Sequence, residues 1–252
     1  MVSSSNPQFV HSAKLVKEKI EDFEEFPLTL PMMQCFDDIE FHPRVTFFVG
    51  ENGTGKSTFL EALAIAWGFN AEGGTKNFSF STRTSHSALW KYLRLSRSYQ
   101  RPKDGFFLRA ESFYNVATEI DKLDEGPGGP PIINSYGGVS LHEQSHGESF
   151  FALMMNRFGG QGLYILDEPE AALSPTRQMA MLARMHQLIA DGSQFIIATH
   201  SPILMAYQDS KIISLDDGEM NEIKYEETEH YTVTKYFLNN HESMVKQLTA
   251  DE

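Results

Sequence analysis

The stretch GENGTGKST, Gly50 to Thr58, decides the fold. It fits the pattern G-x-x-x-x-G-K-[ST]. The residues before it, RVTFFVG, are typical of a buried strand that stops at glycine, and those after it, STFLEALAIAWG, have the apolar spacing of a helix that ends at Gly68. A phosphate-binding loop requires this order of strand, glycine-rich turn and helix. The stretch therefore predicts a site that binds phosphate groups.

Backbone and side chains share the predicted chemistry of this loop. Gly53 and Gly55 allow the chain to turn so that successive N–H groups, and the positive end of the following helix, face the phosphates. Lys56 is expected to reach the β- and γ-phosphates of a nucleotide, and Ser57 is expected to ligate Mg²⁺.

Two later apolar runs end in residues that can do chemistry. LYILDEPE delivers Asp167 and Glu168 at the end of a buried strand, where ligands bind in open α/β sheets. We expect Asp167 to hold Mg²⁺ and Glu168 to polarise the attacking water. FIIATHS brings His200 to the same edge, where its imidazole can hydrogen-bond the γ-phosphate or the water.

The pattern of elements predicts an α/β fold with a mainly parallel sheet flanked by helices. KIISL supplies another strand, and SPTRQMAMLARMHQLIADG predicts a helix capped by Ser174 with Pro175 at its first position. We expect one domain over residues 1–252, with an inserted helical subdomain at approximately 70–158. The tail beyond Glu222 predicts a terminal helix that packs on the sheet.

Charge is unevenly distributed along the chain. The net charge of −13 argues against sequence-independent binding of nucleic acid by the whole surface. The region 83–109 is basic instead, with a single acid, Asp104, and seven basic residues. They are Arg83, Lys91, Arg94, Arg97, Arg101, Lys103 and Arg109. This cluster indicates either a site for phosphates, such as those of DNA, or a solvated face of the helical subdomain.

The remaining composition points to a protein of the cytoplasm. Cys35 is the single cysteine, which excludes an intramolecular disulfide and a cysteine-rich metal cluster. The N-terminus has no apolar targeting region, and the longest apolar runs fall far short of the roughly 20 residues that cross a bilayer. We therefore expect no membrane segment.

The stretch SLHEQSHGES permits two interpretations. His142, Glu143 and His146 fit H-E-x-x-H, in which two histidines on a helix hold zinc, and Glu168 or Glu170 could be a third ligand. Gly147 weakens a helix just after the second histidine, and Glu168 already has a role. A zinc metalloprotease is therefore the remote alternative.

The second interpretation rests on the order of motifs along the chain. GENGTGKST, SHGES, LYILDEPEAALSP and ATHSP, in this order, resemble the ABC-type ATPase superfamily of P-loop NTPases over roughly residues 44–215. The sequence looks more like the SMC- and RecF-like branch, and small stand-alone bacterial ATPases of the AAA family, than like transporter subunits. The resemblance implies that two chains close head to tail around ATP.

The resemblance also implies roles for individual positions. SHGE would be the signature that completes the partner's ATP site, although His146 replaces its glycine and Glu148 its glutamine; its residues are Ser145, His146, Gly147 and Glu148. Ala171 to Ser174 takes the position of the D-loop, and Glu111 is the candidate for a further metal-facing position. The nucleotide-binding residues so implied are Asn52, Gly53, Thr54, Gly55, Lys56, Ser57 and Thr58.

The implied function is Mg²⁺-dependent ATP hydrolysis by a homodimer, with Lys56, Glu168 and His200 as the catalytic residues. The choice of ATP rests on the resemblance. The opening and closing of the dimer would act in DNA maintenance or phage defence. Two alternatives stay open: an ATP-gated module that regulates a partner protein such as a toxin or nuclease, and the ATPase subunit of a transporter.

Overall fold

Two β-sheets form the framework of the chain in the computed structural model, which describes residues 7–75, 87–110, 113–125 and 131–250. The strands in chain order are β1 (Val10–Leu15), β2 (Asp38–Glu40), β3 (Val45–Val49), β4 (Leu93–Arg97), β5 (Asp104–Arg109), β6 (Gly162–Asp167), β7 (Gln194–Ala198), β8 (Lys211–Ser214) and β9 (Asn221–Ile223). The α-helices are α1 (Pro31–Cys35), α2 (Lys56–Trp67), α3 (Phe113–Asp124), α4 (His146–Ala152), α5 (Pro175–Ala190), α6 (Pro202–Met205) and α7 (Glu229–Leu248).

The larger sheet has six strands in the order β5-β6-β7-β3-β8-β9. Its first five strands run parallel, and β9 is antiparallel to β8. Every residue of β3, β6 and β7 is buried, as expected for parallel strands covered on both faces. The predicted α/β fold with a mainly parallel sheet is confirmed.

The smaller sheet is antiparallel, in the order β2-β1-β4, and it packs over α2. The side chain of Gln194, at the start of β7, joins the two sheets. Its Oε1 accepts hydrogen bonds from the N–H groups of Phe9 and Val10, at 2.9 and 3.0 Å, and its Nε2 donates to the carbonyl of Val10 at 2.9 Å. The helix that follows the phosphate loop is therefore enclosed between two sheets, which fixes its first turn in place.

The predicted helix boundaries agree with the structure. Gly55 and Gly68 flank α2, and both adopt the left-handed conformation that glycine tolerates, with φ of 101° and 107°. At α5, the Ser174 side chain accepts a hydrogen bond from the N–H of Arg177, and Pro175 is the first helical residue.

The region at 70–158 is not wholly helical. It contains β4 and β5 as well as α3 and α4, and β5 pairs with β6 in the larger sheet. The reason is that Phe106, Phe107 and Leu108 are all buried in β5, which suits a strand covered on both faces. The division of the chain into a core and an inserted subdomain stays a prediction.

The C-terminal segment forms the predicted helix, but the prediction that it packs on the sheet is wrong. Within the described part of the chain, α7 buries none of its residues. The buried Thr228 caps its first turn by accepting a hydrogen bond from the N–H of Tyr231. Farther along, Val233 and Tyr236 are 54% and 61% exposed, and the helix is broken at Asn240. No helix in the described ranges is long and apolar enough to cross a membrane.

Candidate nucleotide-binding site

The phosphate loop lies between the end of β3 and the start of α2. Gly53 and Gly55 have φ of 87° and 101°, so the loop takes turns that only glycine adopts readily. Lys56 is 4% exposed, and its ammonium donates hydrogen bonds of 2.7 Å to the carbonyls of Gly50 and Glu51. Burial lowers the pKa of Lys56, while the nearby carboxylates of the sheet edge oppose this shift.

The other loop residues border open space beside the loop. Asn52, Gly53 and Thr54 line a cavity of about 680 Å³, which is also bounded by Pro31. Thr58 follows on the first turn of α2. The cavity adjoins the backbone N–H groups that the sequence assigns to phosphate binding, so a nucleotide has room beside them.

Ser57 and Asp167, the two predicted Mg²⁺ ligands, lie together. The Ser57 hydroxyl donates a hydrogen bond of 3.0 Å to Oδ1 of Asp167, which is 5% exposed at the end of β6. A hydroxyl and a carboxylate are hard oxygen ligands of the kind Mg²⁺ prefers, and such sites use few protein ligands. The residues present therefore fit this ion. Glu111, the third candidate, lies outside the described residues.

Glu168 and His200 meet at the same sheet edge. Glu168 is held in the left-handed region, with φ of 50°, and its N–H donates to the carbonyl of Ala198 at 2.9 Å. A non-glycine residue in this region stores strain of a kind that clusters at functional sites. Its Oε1 lies 3.6 Å from Nε2 of His200, so the predicted base and the predicted switch histidine are neighbours.

Two residues that the sequence analysis gave no role at this edge hold His200. Its backbone N–H donates a 2.6 Å hydrogen bond to Glu170, and its Nδ1 lies 2.8 Å from Nε2 of His230, on α7. Burial, and then the charge of Lys56, lower the pKa of His200, so its imidazole is neutral near pH 7. Burial raises the pKa of Glu170. Neither contact has a sequence signal, because both arise from the tertiary fold.

An ion pair beneath the site was also missed. The guanidinium of Arg109 pairs with Glu61 of α2, a carboxylate that is 5% exposed, and its Nε lies 4.0 Å from Oδ2 of Asp167. Arg109 is the register partner of Asp167 in the neighbouring strand. This member of the basic cluster therefore supports the core of the site, and its side chain is only 21% exposed. The feature of the sequence that could have revealed this role is the position of Arg109 at the end of a strand.

Asp216 fixes the entrance of the loop. Its Oδ1 accepts a hydrogen bond of 3.0 Å from the N–H of Glu51, and its Oδ2 accepts one of 2.7 Å from the Ser214 hydroxyl. The acid directly follows the strand KIISL, so its position at this sheet edge could have been predicted.

The signature residues lie at the start of α4. The hydroxyl and the N–H of Ser145 both donate to Oε2 of Glu148, at 2.6 and 3.1 Å. Ser145, His146 and Glu148 are exposed, whereas Gly147 packs against the carbonyl of Ala172. In the described parts of the chain, these residues contact the D-loop segment, α3 and Arg177 of α5, which lies 3.7 Å from Glu148, and none bonds the phosphate loop of the same chain.

The described residues do not form the zinc site. His142 lies in the turn before α4, where its Nε2 is 3.0 Å from the Thr118 hydroxyl and its ring packs on Tyr114. His146 is the first residue of α4, and its ring packs against Phe113. The two histidines therefore do not share a helical face. The described ranges contain no group of three or more His, Cys, Asp or Glu placed to hold a metal.

Two family models match the segments that build this site. An "AAA domain" matches residues 19–107, and an "AAA domain, putative AbiEii toxin, Type IV TA system" matches residues 133–206. The first contains the phosphate loop, and the second contains the signature, Asp167, Glu168 and His200. Each of the two segments that build this site is therefore similar to an AAA domain.

Two curated plant proteins are similar to this chain. Each is named "ABC transporter G family member STR2", one from Medicago truncatula and one from Petunia hybrida. Both are 28% identical to it, over 172 and 170 residues. The matches cover 63% of the chain but 24% of each relative. The chain thus spans about a quarter of the length of these relatives.

Solved structures similar to this chain include a transporter, a head domain and a nucleotide-binding cassette. A putative metal-chelate type ABC transporter in an inward-facing conformation is 14% identical, with a TM-score of 0.48 and coverage of 91% of this chain and 89% of that one. An SMC head domain from Thermotoga maritima is 18% identical, with a TM-score of 0.36 and coverage of 74% and 92%. A nucleotide-free ATP-binding cassette from an ABC transporter is 16% identical, with a TM-score of 0.47 and coverage of 90% and 95%.

Proposed function

We propose that the chain binds Mg-ATP on the loop Gly50–Thr58 and hydrolyses the bond between the β- and γ-phosphates. One observation carries the proposal. Ser57 and Asp167 are hydrogen-bonded at 3.0 Å, and Glu168 and His200 stand at the same sheet edge, 3.6 Å apart. Metal ligands, a base and a histidine that can contact the γ-phosphate are thus assembled from three separate segments of the chain.

Each residue has a defined task in this reaction. Lys56 exchanges the carbonyls of Gly50 and Glu51 for β- and γ-phosphate oxygens, which accept from its ammonium. Mg²⁺, held by Ser57 and Asp167, would offset the negative charge on the phosphates. Glu168 orients the attacking water and accepts its proton.

His200 complements Glu168. Its neutral imidazole presents Nε2 toward Glu168 and the position of the γ-phosphate. A hydrogen bond from Nε2–H stabilises the negative charge on the phosphoryl oxygens as the bond to the β-phosphate breaks.

A second copy of the chain would complete the site. Ser145, His146 and Glu148 are exposed at the N-terminus of α4, where they can reach the γ-phosphate of a partner chain. To do so, the Ser145 hydroxyl must leave Glu148, to which it now donates at 2.6 Å. ATP would then hold two chains head to tail, and its hydrolysis would release them.

DNA is the first candidate for what this motion acts on. Arg97, Arg101 and Lys103 line a cavity of about 530 Å³ together with Trp67 and Phe69. The cavity lies at the amino-terminal edge of the larger sheet, where β5 begins, opposite the phosphate loop. Basic side chains beside aromatic rings suit nucleic acid phosphates and bases. If DNA binds here, it should stimulate turnover, and Arg97→Glu together with Arg101→Glu should abolish that stimulation.

A partner protein is the second candidate, and α7 supports it. Val233, Tyr236 and Phe237 form an exposed apolar stripe at helical spacing. The stripe begins at the nucleotide site, because Val233 lines the same cavity as Asn52 and His200. The family description that includes a toxin system is consistent with an ATPase whose nucleotide state gates a partner. Copurification of a partner only in the ATP state, and its loss in Tyr236→Ser, would favour this role over DNA.

Turnover and binding measured together test the proposed reaction. We expect the chain to release phosphate from Mg-ATP, Glu168→Gln to bind ATP without releasing phosphate, and Lys56→Ala to lose most of its affinity for ATP. Glu143→Gln serves as the control, because Glu143 is an exposed acid in the turn before α4. Full turnover in Glu168→Gln would contradict the assignment of the base.

A further inference from the structure

His200 is hydrogen-bonded at two points and faces a carboxylate at a third. Its backbone N–H donates to Glu170, its Nδ1 meets Nε2 of His230 at 2.8 Å, and its Nε2 faces Glu168 at 3.6 Å. Among the described residues, Nε2 of His200 is buried without a hydrogen-bond partner. The ring is therefore oriented with one nitrogen engaged by α7 and the other aimed into the site.

A hydrogen bond between two imidazoles contains one proton, and its position decides what His200 can do. If His230 donates, Nδ1 of His200 is the acceptor and the proton of His200 is on Nε2. If His200 donates instead, Nε2 presents a lone pair toward the carboxylate of Glu168 and toward any phosphate. The negative charges on that side favour the first arrangement, in which Nε2–H is a donor.

We propose that His230 is a positioning residue for His200: its Nε2–H donates to Nδ1 of His200 and so fixes the proton of His200 on Nε2, facing Glu168 and the γ-phosphate. This inference rests on the proposed function. It assigns to the C-terminal helix a direct part in arranging the nucleotide site.

The surroundings of His230 suit this task. It is the second residue of α7, whose first turn is capped by Thr228. In the turn before the helix, the Tyr225 hydroxyl donates to the carbonyl of Pro202 at 2.8 Å. A cavity of about 460 Å³ separates this turn from Asn52 of the phosphate loop. Burial lowers the pKa of His230 as it does that of His200, so both rings are neutral near pH 7, as the single shared proton requires.

Three variants separate this role from a structural one. His230→Phe keeps the ring volume and removes the donor, His230→Gln keeps a donor at a similar reach, and His241→Phe changes a histidine on the exposed far half of α7. We expect His230→Phe to lower kcat at least about tenfold, since a catalytic imidazole in the wrong tautomer loses much of its effect. The KM for ATP should stay nearly constant, and His230→Gln should recover most of the loss.

The tautomer itself is measurable without turnover. In the full chain labelled with ¹⁵N-histidine, long-range proton–nitrogen spectra should show His200 protonated on Nε2, and His230→Phe should convert it to a mixture of tautomers. His200→Gln assigns the signals. A wild-type His200 protonated on Nδ1, or unchanged kcat in His230→Phe, would overturn the inference.

The two proposals fail differently. Absence of phosphate release by the wild-type chain would refute the proposed reaction, while the spectrum would still decide whether His230 sets the tautomer. If His230→Phe does not fold, the wild-type spectrum and His230→Gln decide the question.

Discussion

Gly147 lies so close to Ala172 that a Cβ added to it would stand 2.4 Å from the Ala172 carbonyl oxygen. This contact joins the signature, at the start of α4, to the D-loop segment that follows Glu168 and Glu170. The absence of a side chain at Gly147 therefore sets the distance between these two segments, both of which belong to the proposed dimer face.

Gly147→Ala is therefore expected to disturb this face. Forcing a methyl group into a packed contact costs about 1–3 kcal/mol, so we expect a lower Tm and weaker ATP-driven association. Gly159→Ala is a matched control, since the nearest atom to its Cβ is a side-chain oxygen at 3.4 Å. Thermal unfolding and light scattering of both variants check this. Equal Tm values and equal association in the two variants would contradict the prediction, because they would show that the contact relaxes freely.

Glu148→Gln should strengthen ATP-driven association. Hydrogen bonds from Ser145 hold the pKa of Glu148 below its usual range, so an anion stands where the γ-phosphate of the partner's ATP would approach. Removing one exposed charge should tighten the dimer by about two- to fivefold, the scale of exposed charge interactions. The association constant from sedimentation tests this. Weaker association, or an equal gain in Glu143→Gln, would contradict a role for Glu148 at the interface.

Arg109→Ala should destabilise the fold much more than Arg94→Ala does. The first substitution leaves the buried carboxylate of Glu61 without its ion pair, which typically costs about 3–5 kcal/mol. Arg94 is exposed on β4, where a substitution changes stability by about 0.5 kcal/mol or less. Urea unfolding of the two variants measures the difference, and similar midpoints would show that Arg109 does not support the core.

Turnover and stability should both fall on acidification. The groups that face His200 are Lys56, Glu168 and His230; burial first, and then Lys56, lower its pKa below the usual value of about 6.5. The unfolded chain thus binds a proton more readily, so the stability from neutral His200 is present above about pH 6.5 and is lost as pH falls through the folded-state pKa. We expect kcat to be level near neutral pH and to decline below it. A profile of kcat and Tm from about pH 5 to 8 checks this; a rise in kcat on acidification would contradict it.

Local sequence patterns were sufficient for four strands of the larger sheet, β3, β6, β7 and β8, and for the residues next to them. The strand, loop and helix around Lys56, and the acids at the end of β6, follow from hydrophobic runs and glycine positions, because the carboxyl ends of parallel strands share one edge. The helix of residues 229–248 was also predictable, but its exposure was not. Its apolar residues suit burial, and only tertiary structure shows that α7 is anchored by its first turn alone.

The contacts that refine the site could not be predicted in this way. The partners in the His200–His230 contact are separated by 30 residues, and the Arg109–Glu61 pair by 48. No short motif links such residues, since their proximity depends on how distant segments pack. The pattern H-E-x-x-H misleads for the same reason, because a turn and a helix cap divide the two histidines.

The solution mass of Glu168→Gln, measured by light scattering with and without Mg-ATP in buffer free of zinc, tests the central claim most directly. Removing the base should trap ATP without preventing its binding. The account predicts the mass of two chains with Mg-ATP and of one chain without it. A mass that stays at one chain while ATP is demonstrably bound would contradict a site completed by the signature of a second copy.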